Sequence, residues 1–311
     1  MAKILITESV HPIGPELLTA AGHTVVYADR DMDVIRREIV DADAVLVRII
    51  ELPGSLLATA KNLKIVSKHG VGYDNIDLDY CKKAGVAVTI TPNANSLSVA
   101  EHAFTLMLTL AKNIIPVSNE YRSIGFAAKN HAPGIEMTGK TLGLIGMGRI
   151  GKHILHMCRD GLDMHVIVYD PYITEVPAGV EKVDDLSELL RRADIVTLHC
   201  LLTEETRKLI NRERLALMKP TALLINCARG PIVDETALIE ALENGRLAGA
   251  GLDVTDPEPV APDSPLFKLP NVIVTPHYAP TTVESATRVS KIAAENINAV
   301  LAGKEPVGRI V

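Results

Sequence analysis

Short apolar runs rich in valine, isoleucine and leucine recur along the chain, each separated from the next by a stretch of helical period. KILIT, HTVVYA, DAVLVR, LKIVSK and VAVTI come first, with helix signals such as PELLTAAG and VIRREIVDA between them. Strands alternating with helices in this way read as βαβ units, which build a parallel sheet. A long helical stretch follows from about Ser96 to Ala111, after the loop TPNAN. A second series opens at KTLGLIG and runs through MHVIVYD, ADIVTLH, TALLIN, AGAGLDV and NVIVT. Helical periodicity returns from Thr282 to Leu301 and stops at Gly303. The pattern predicts an α/β protein of two doubly wound parallel-sheet domains, with a boundary near residues 95–100 and no internal repeat of solenoid length.

Composition narrows the class. At 311 residues, 47% hydrophobic and 23% charged, the chain has the profile of a globular protein with room for two cores. A net charge of −6 without any block of lysines or arginines argues against a nucleic-acid partner. The opening MAKILITES is too short in its apolar part for a signal peptide and reads as a first strand. AFTLMLTLA is about half a bilayer span, so no membrane segment is expected. Cys81, Cys158, Cys200 and Cys227 are scattered without a C-x-x-C pair, which suggests neither a zinc knuckle nor a disulfide framework. A reduced, cytoplasmic protein is the expectation.

The first chemical signal is Gly146-Met-Gly148-Arg-Ile-Gly151, a G-x-G-x-x-G. Alone it is weak, because glycines gather in any tight turn. Here a strand (TLGLI) runs into it, a helix (RIGKHILHMC) leaves it, and a second strand ends in Asp170, 19 residues after Gly151. A dinucleotide site needs that layout: Gly146 for the turn, Gly148 for backbone approach to a pyrophosphate at the helix N-terminus, Gly151 for close helix–strand packing. Asp170 would accept from the adenosine ribose hydroxyls and repel a 2′-phosphate. No arginine follows it in YDPYITEV, so the expected cofactor is NAD.

Three ionisable residues stand at strand exits of the same series, where open α/β sheets bind ligands. Arg229 follows TALLIN, Glu258 follows AGAGLDV, and His277 follows NVIVT. Singly, each has a plain reading: a surface charge, a proline-stiffened loop carboxylate, a strand-end cap. Together they are suited to reducing a 2-oxo acid. A guanidinium holds a carboxylate in bidentate fashion, and a histidine beside a carboxylate is an oriented general acid/base.

With these residues in view, the sequence resembles the D-isomer-specific 2-hydroxyacid dehydrogenases, most of all their D-3-phosphoglycerate dehydrogenase branch. The resemblance covers nearly the whole chain through VGYDNIDLD, TPNANSLSVAEH, GKTLGLIGMGRIG, LMKPTALLINCARGPIVDE, GLDV…EP and VTPH. It implies a Rossmann NAD-binding domain over residues 96–282 and a flavodoxin-like substrate domain built from 1–95 plus 283–311. It implies catalysis by Arg229, Glu258 and His277. The backbone of Gly70-Val71-Gly72, with Arg48, would bind the substrate. Arg149, Ile150, Cys200, Cys227, Ala228 and Asp253 would line the cofactor, Asp253 against the nicotinamide carboxamide. It further implies a homodimer contacting through the helix that begins near Ser96, domain closure on ligand binding, and a form without the regulatory domain that longer members carry.

The sequence departs from that family's pattern at Leu201, where proline is usual, at Tyr278-Ala279-Pro280, where a glycine pair is common, and at Phe126, often a tryptophan. The first two alter the pocket wall, so substrate identity is what they put in question. A small D-2-hydroxy acid with a polar or anionic C3 substituent is expected, 3-phosphoglycerate first and glycerate/hydroxypyruvate second, since Arg48 and Lys68 could meet a second anion. Lys68 and His69 also read as a solvated pair. His153, His156 and Asp160 share a helix face opposite an apolar one and read as solvent-facing, so no metal is expected. His102 in AEHAF reads as packed or interfacial rather than catalytic. The alternative function is an NAD-sensing co-regulator without turnover, a role some members of the family serve; the lack of basic or disordered tails speaks against it.

Overall fold

A computed structural model describes residues 1–311. The chain divides into two compact units, Met1–Asn95 with Thr281–Val311, and Ser96–Pro280.

The first unit holds five parallel strands, β1 (Lys3–Ile6), β2 (Thr24–Tyr27), β3 (Ala44–Val47), β4 (Ile65–Lys68) and β5 (Ala87–Thr89), in the order β2-β1-β3-β4-β5. This is the flavodoxin-like order, with its reversal between β1 and β3. The sheet is buried on both faces, as helices on either side of a parallel sheet require. Period-two alternation decides which residue goes where: Leu5, Val45, Val47 and Val66 join Ile35, Ile39 and Cys81 on one face. Ile4, Ile6, Leu46 and Ile65 pack on the other against Leu18 and, from the last helix, Ala293, Ala294 and Ile297. That helix, Val283–Leu301, starts where Thr282 accepts the Ser285 amide. Ser67 ties the sheet to it by donating to the Ala293 carbonyl at 3.0 Å.

The second unit holds seven parallel strands: β6 (Thr141–Ile145), β7 (His165–Tyr169), β8 (Glu181–Lys182), β9 (Ile195–Leu198), β10 (Leu223–Asn226), β11 (Gly249–Leu252) and β12 (Val272–Val274). Their order is β12-β11-β10-β9-β6-β7-β8, with Ile145 of β6 in register with Tyr169 on one side and Leu198 on the other. The strand order therefore reverses beside β6, and the crevice at its carboxyl end is where such a sheet binds a ligand. The helix Ser96–Ala111 lies in the core through Val99, Ala103, Leu106 and Met107, packed with Leu142, Leu144 and Ile225. The eleven longer strands match the apolar runs; the two-residue β8 carries no apolar signal and was not expected. A separate helix, Ile114–Ile124, follows Asn113 in a left-handed turn at φ 50°, and it buries none of its residues. No helix is long and apolar enough to cross a membrane.

Candidate active site

The glycine loop joins β6 to the helix Arg149–Leu162. Gly146 sits at φ +89°, and a Cβ there would stand 2.8 Å from the backbone at His199 and Cys200. At Gly151 a Cβ would stand 2.3 Å from the Gly146 carbonyl oxygen, so only glycine lets the helix come this close. Gly148 is different: a Cβ would meet nothing within 4 Å, and the helix it precedes has no side-chain cap. The first amides of that helix are thus left for a ligand that brings negative charge, and the space above them is open. Arg149 and Ile150 form the first turn. Asp170, just beyond β7, accepts the Met147 amide at 2.9 Å and the Tyr172 amide at 3.0 Å, one on each oxygen. Its carboxylate is held beside the loop with a further lone pair on each oxygen for ribose hydroxyls. These residues fit a dinucleotide.

Cys200, Cys227, Ala228 and Asp253 follow β9, β10 and β11 at the same edge of the sheet. Burial pushes the Cys200 thiol up to about 11, and it raises Cys227 well above the usual thiol range. Both thiols stay protonated and are not poised as nucleophiles. His199 lies beside them, its Nε2 2.8 Å from the Thr197 hydroxyl, its Nδ1 buried, and burial pushes its imidazole down to about 3.

Arg229 stands on the loop after β10, and Asn226 shapes that loop. Its buried side chain accepts the Ala228 amide and donates to the Arg229 carbonyl, both at 3.0 Å. Gly230 then presses on the next loop so closely that a Cβ would lie 1.9 Å from the Thr255 carbonyl oxygen. That neighbouring loop carries Glu258. It is tied down by Glu235, which accepts the Asp256 amide at 2.9 Å, and burial raises the Glu235 carboxyl above its ordinary range. Glu258 in turn holds His277, Oε1 to Nδ1 at 2.7 Å, with the side chains 40% and 33% exposed respectively. The three expected catalytic residues therefore sit on three adjacent loops of one sheet edge, two of them in direct contact. His277 is itself at φ +52°, a backbone state that costs a non-glycine residue on the order of 1–3 kcal/mol. Its amide donates to the Asp253 and Thr275 carbonyls at 2.8 and 3.0 Å.

In the first unit, Arg48 follows β3 and Gly70-Val71-Gly72 follows β4. Glu8, which sequence reasoning passed over, builds this edge. Buried to 2% exposure, its carboxylate accepts the amides of Arg48, Ile49 and Ile50 at 2.7, 2.8 and 3.2 Å. Nothing in the run KILITES distinguishes it from a surface glutamate. The solvated-pair reading of Lys68 and His69 does not hold. Lys68 is buried, its ammonium donating to the Arg48 carbonyl and, at 2.6 Å, to Asn75. His69 has a buried Nε2, and its imidazole is pushed down to about 3, by burial first and then by the Arg48 and Lys68 charges.

His69 and His199 set a pH dependence of stability. In the native state both stay neutral down to about pH 3, whereas in the unfolded chain they take up a proton near the ordinary 6.5. The unfolded state binds more protons in that window, so stability is present above about 6.5 and is lost as pH falls toward 3. Each histidine contributes a slope of up to about 1.4 kcal/mol per pH unit. Urea midpoints measured from pH 7 to pH 4.5 should fall more shallowly for His199→Gln than for the wild type; parallel curves would contradict this.

Comparison with known proteins agrees with the geometry. Residues 104–279 match the family model described as D-isomer specific 2-hydroxyacid dehydrogenase, NAD binding domain. The chain is 42% identical over 308 residues to a D-3-phosphoglycerate dehydrogenase of Methanocaldococcus jannaschii, covering 98% of itself but only 58% of that protein. It is 38% identical over 316 residues to a glyoxylate reductase of Thermofilum pendens, covering 98% of itself and 93% of the relative. Among solved structures it is similar to a D-lactate dehydrogenase from Aquifex aeolicus complexed with NAD and lactic acid, at TM-score 0.88 and 33% identity over 96% of each chain.

Proposed function

We propose that this chain, which belongs to the D-isomer specific 2-hydroxyacid dehydrogenase family, interconverts a small 2-oxo acid and its D-2-hydroxy acid with NAD(H). The observation that carries the reading is the 2.7 Å pair of His277 and Glu258, with the Arg229 loop packed on the Glu258 loop. The glycine loop and Asp170 would hold NADH, which would supply a hydride for C2. Arg149, Ile150, Cys200, Cys227, Ala228 and Asp253 would line that cofactor. In reduction, Arg229 grips the carboxylate and the carbonyl oxygen, so its charge opposes the one that grows on that oxygen. His277 gives its proton to the same oxygen from Nε2, since Nδ1 is committed to Glu258. Glu258 aims the ring and balances the charge that the imidazole carries before the transfer. Arg48 and the backbone of Gly70-Val71-Gly72 bind the acid's polar end.

The substrate we assign has a polar or anionic C3 substituent: phosphohydroxypyruvate/3-phosphoglycerate or hydroxypyruvate/glycerate. The names of the relatives and the guanidinium of Arg48 support it; Lys68, turned to the Arg48 carbonyl and the Asn75 side chain, does not add to it. One panel tests substrate and cofactor together: hydroxypyruvate, phosphohydroxypyruvate, glyoxylate, pyruvate and a branched-chain 2-oxo acid, each with NADH and NADPH. The first two should be reduced best, and with NADH. In Asp170→Ser, NADH should bind more weakly by roughly 1.5–3 kcal/mol and NADPH should gain ground. A branched-chain acid reduced best would defeat the C3 assignment, and a wild type equally served by NADPH would defeat the role of Asp170.

The protein also pairs as a homodimer in this reading. Leu97, Ile114, Ile115, Tyr121, Ile124 and Phe126 are exposed apolar residues on consecutive helices, more than a lone soluble surface usually carries in one stretch. Light scattering should give twice the chain mass at micromolar concentration; the mass of a single chain would reject the dimer.

A further inference from the structure

We propose that His102 is a positioning residue for His277, acting through Thr275 and Asp253. The inference rests on the dehydrogenase reading of His277 and adds to it the device that keeps a left-handed histidine in place. Asp253 is buried, 1% exposed, at the end of β11. Its Oδ1 accepts the Thr275 hydroxyl at 2.6 Å and the Tyr278 amide at 2.7 Å; its Oδ2 accepts the Ala279 amide at 2.9 Å. Its carbonyl oxygen accepts the His277 amide. One residue thus grips the chain at His277 and at the two positions that follow.

His102 completes the grip from outside the loop. Its Nε2 lies 3.0 Å from the Thr275 hydroxyl and 3.5 Å from Asp253 Oδ1. An ionised carboxylate only accepts, so the single hydroxyl proton of Thr275 is given to Asp253. The hydroxyl must then accept from His102, which fixes a proton on Nε2. Donation runs one way, from His102 to Thr275 to Asp253, and each bond strengthens the next. The His102 ring also meets Tyr278 edge-on, with centroids 6.1 Å apart at 61°. Residues two before and one after His277 are therefore both held by His102. The holder is rigid, since its helix is set in the core by Val99, Ala103 and Leu106. Glu258, by contrast, sits on an exposed loop and fixes only the ring.

The test uses four variants of the intact chain: His102→Leu, His102→Gln, Thr275→Val, and the double variant His102→Leu/Thr275→Val. Amide exchange at Tyr278 and Ala279, measured without ligands, should be faster in His102→Leu and Thr275→Val than in the wild type. In those two variants kcat should fall on the order of 10- to 100-fold, while KM for NADH stays put. Glutamine, which can still donate to Thr275, should recover most of both losses. The double variant should be no worse than the worse single one, because both remove the same chain of bonds. Unchanged exchange, additive losses, or an effect on KM alone would each overturn the proposal. If His102→Leu does not fold, Thr275→Val decides, since it removes only a hydroxyl. A wild type without turnover would refute the dehydrogenase reading instead, and the exchange measurements would still decide the positioning.

Discussion

Asparagine in place of His277 should lower 2-oxo acid reduction by a factor on the order of 10²–10⁴, with cofactor binding intact. The side chain is close in size, but it has no proton to give to the carbonyl oxygen. Arg229→Ala should cripple turnover in a different way. It removes charge-assisted hydrogen bonds worth roughly 1.5–3 kcal/mol each, made both to the bound acid and to the charge that develops on it. KM for the acid should rise as kcat falls. Glu258→Gln separates the third role. The carboxylate 2.7 Å from Nδ1 aims the ring. Without it kcat should fall, though by less than in His277→Asn, while KM for NADH stays unchanged. An unchanged kcat would remove Glu258 from the mechanism.

Gly230→Ala should be nearly as damaging, although glycine has no chemistry. A Cβ at this position would stand 1.9 Å from the Thr255 carbonyl oxygen and 2.2 Å from its carbon, both backbone atoms that cannot swing aside. The Arg229 loop and the Glu258 loop would have to part. Forcing such groups apart typically costs on the order of 1–3 kcal/mol. A displacement of about 1 Å between groups that act on one carbonyl costs on the order of 10²-fold in rate. Gly161→Ala is the control: a Cβ there meets nothing within 4 Å, and the residue lies within the helix Arg149–Leu162. That variant should gain about 0.5–1 kcal/mol of stability and keep its activity. If Gly230→Ala folds and turns over like the wild type, the close packing of the two loops does not matter to the reaction.

Much of this molecule is legible in its sequence, for reasons that are local. Ile4, Leu5 and Ile6 form a short β-rich run because a strand covered on both faces needs apolar side chains in both directions. Gly146, Gly148 and Gly151 can be read because they recur at a fixed spacing between a strand and a helix; Gly146 and Gly151 each meet a steric demand that no other residue satisfies, and Gly148 leaves the space above the helix open. Arg229, Glu258 and His277 can be placed at one sheet edge because strand exits can be counted. What stays hidden depends on partners far along the chain. Lys68 looks solvated, yet the carbonyl of Arg48, 20 residues away, and Asn75 take its charge inside. Glu8 becomes a loop anchor only when residues 48–50 arrive, and Asn226 and Glu235 likewise act on backbone that folding brings to them. The contact from His102 to Thr275 spans 173 residues, and no periodicity announces it. The helix Ile114–Ile124 eluded the pattern for the opposite reason: it buries nothing, so it shows no apolar stripe against a core.

Direct hydride transfer to C2 of a 2-oxo acid, with Arg229 and His277 handling the oxygen, would leave an isotopic signature in the product. It can be read with NADH carrying deuterium at both C4 positions, mixed with hydroxypyruvate and the wild-type protein in ordinary water. D-glycerate should carry one deuterium at C2, with none lost to solvent. Product with solvent hydrogen at C2, or no product with this acid or with phosphohydroxypyruvate, would rule the transfer out.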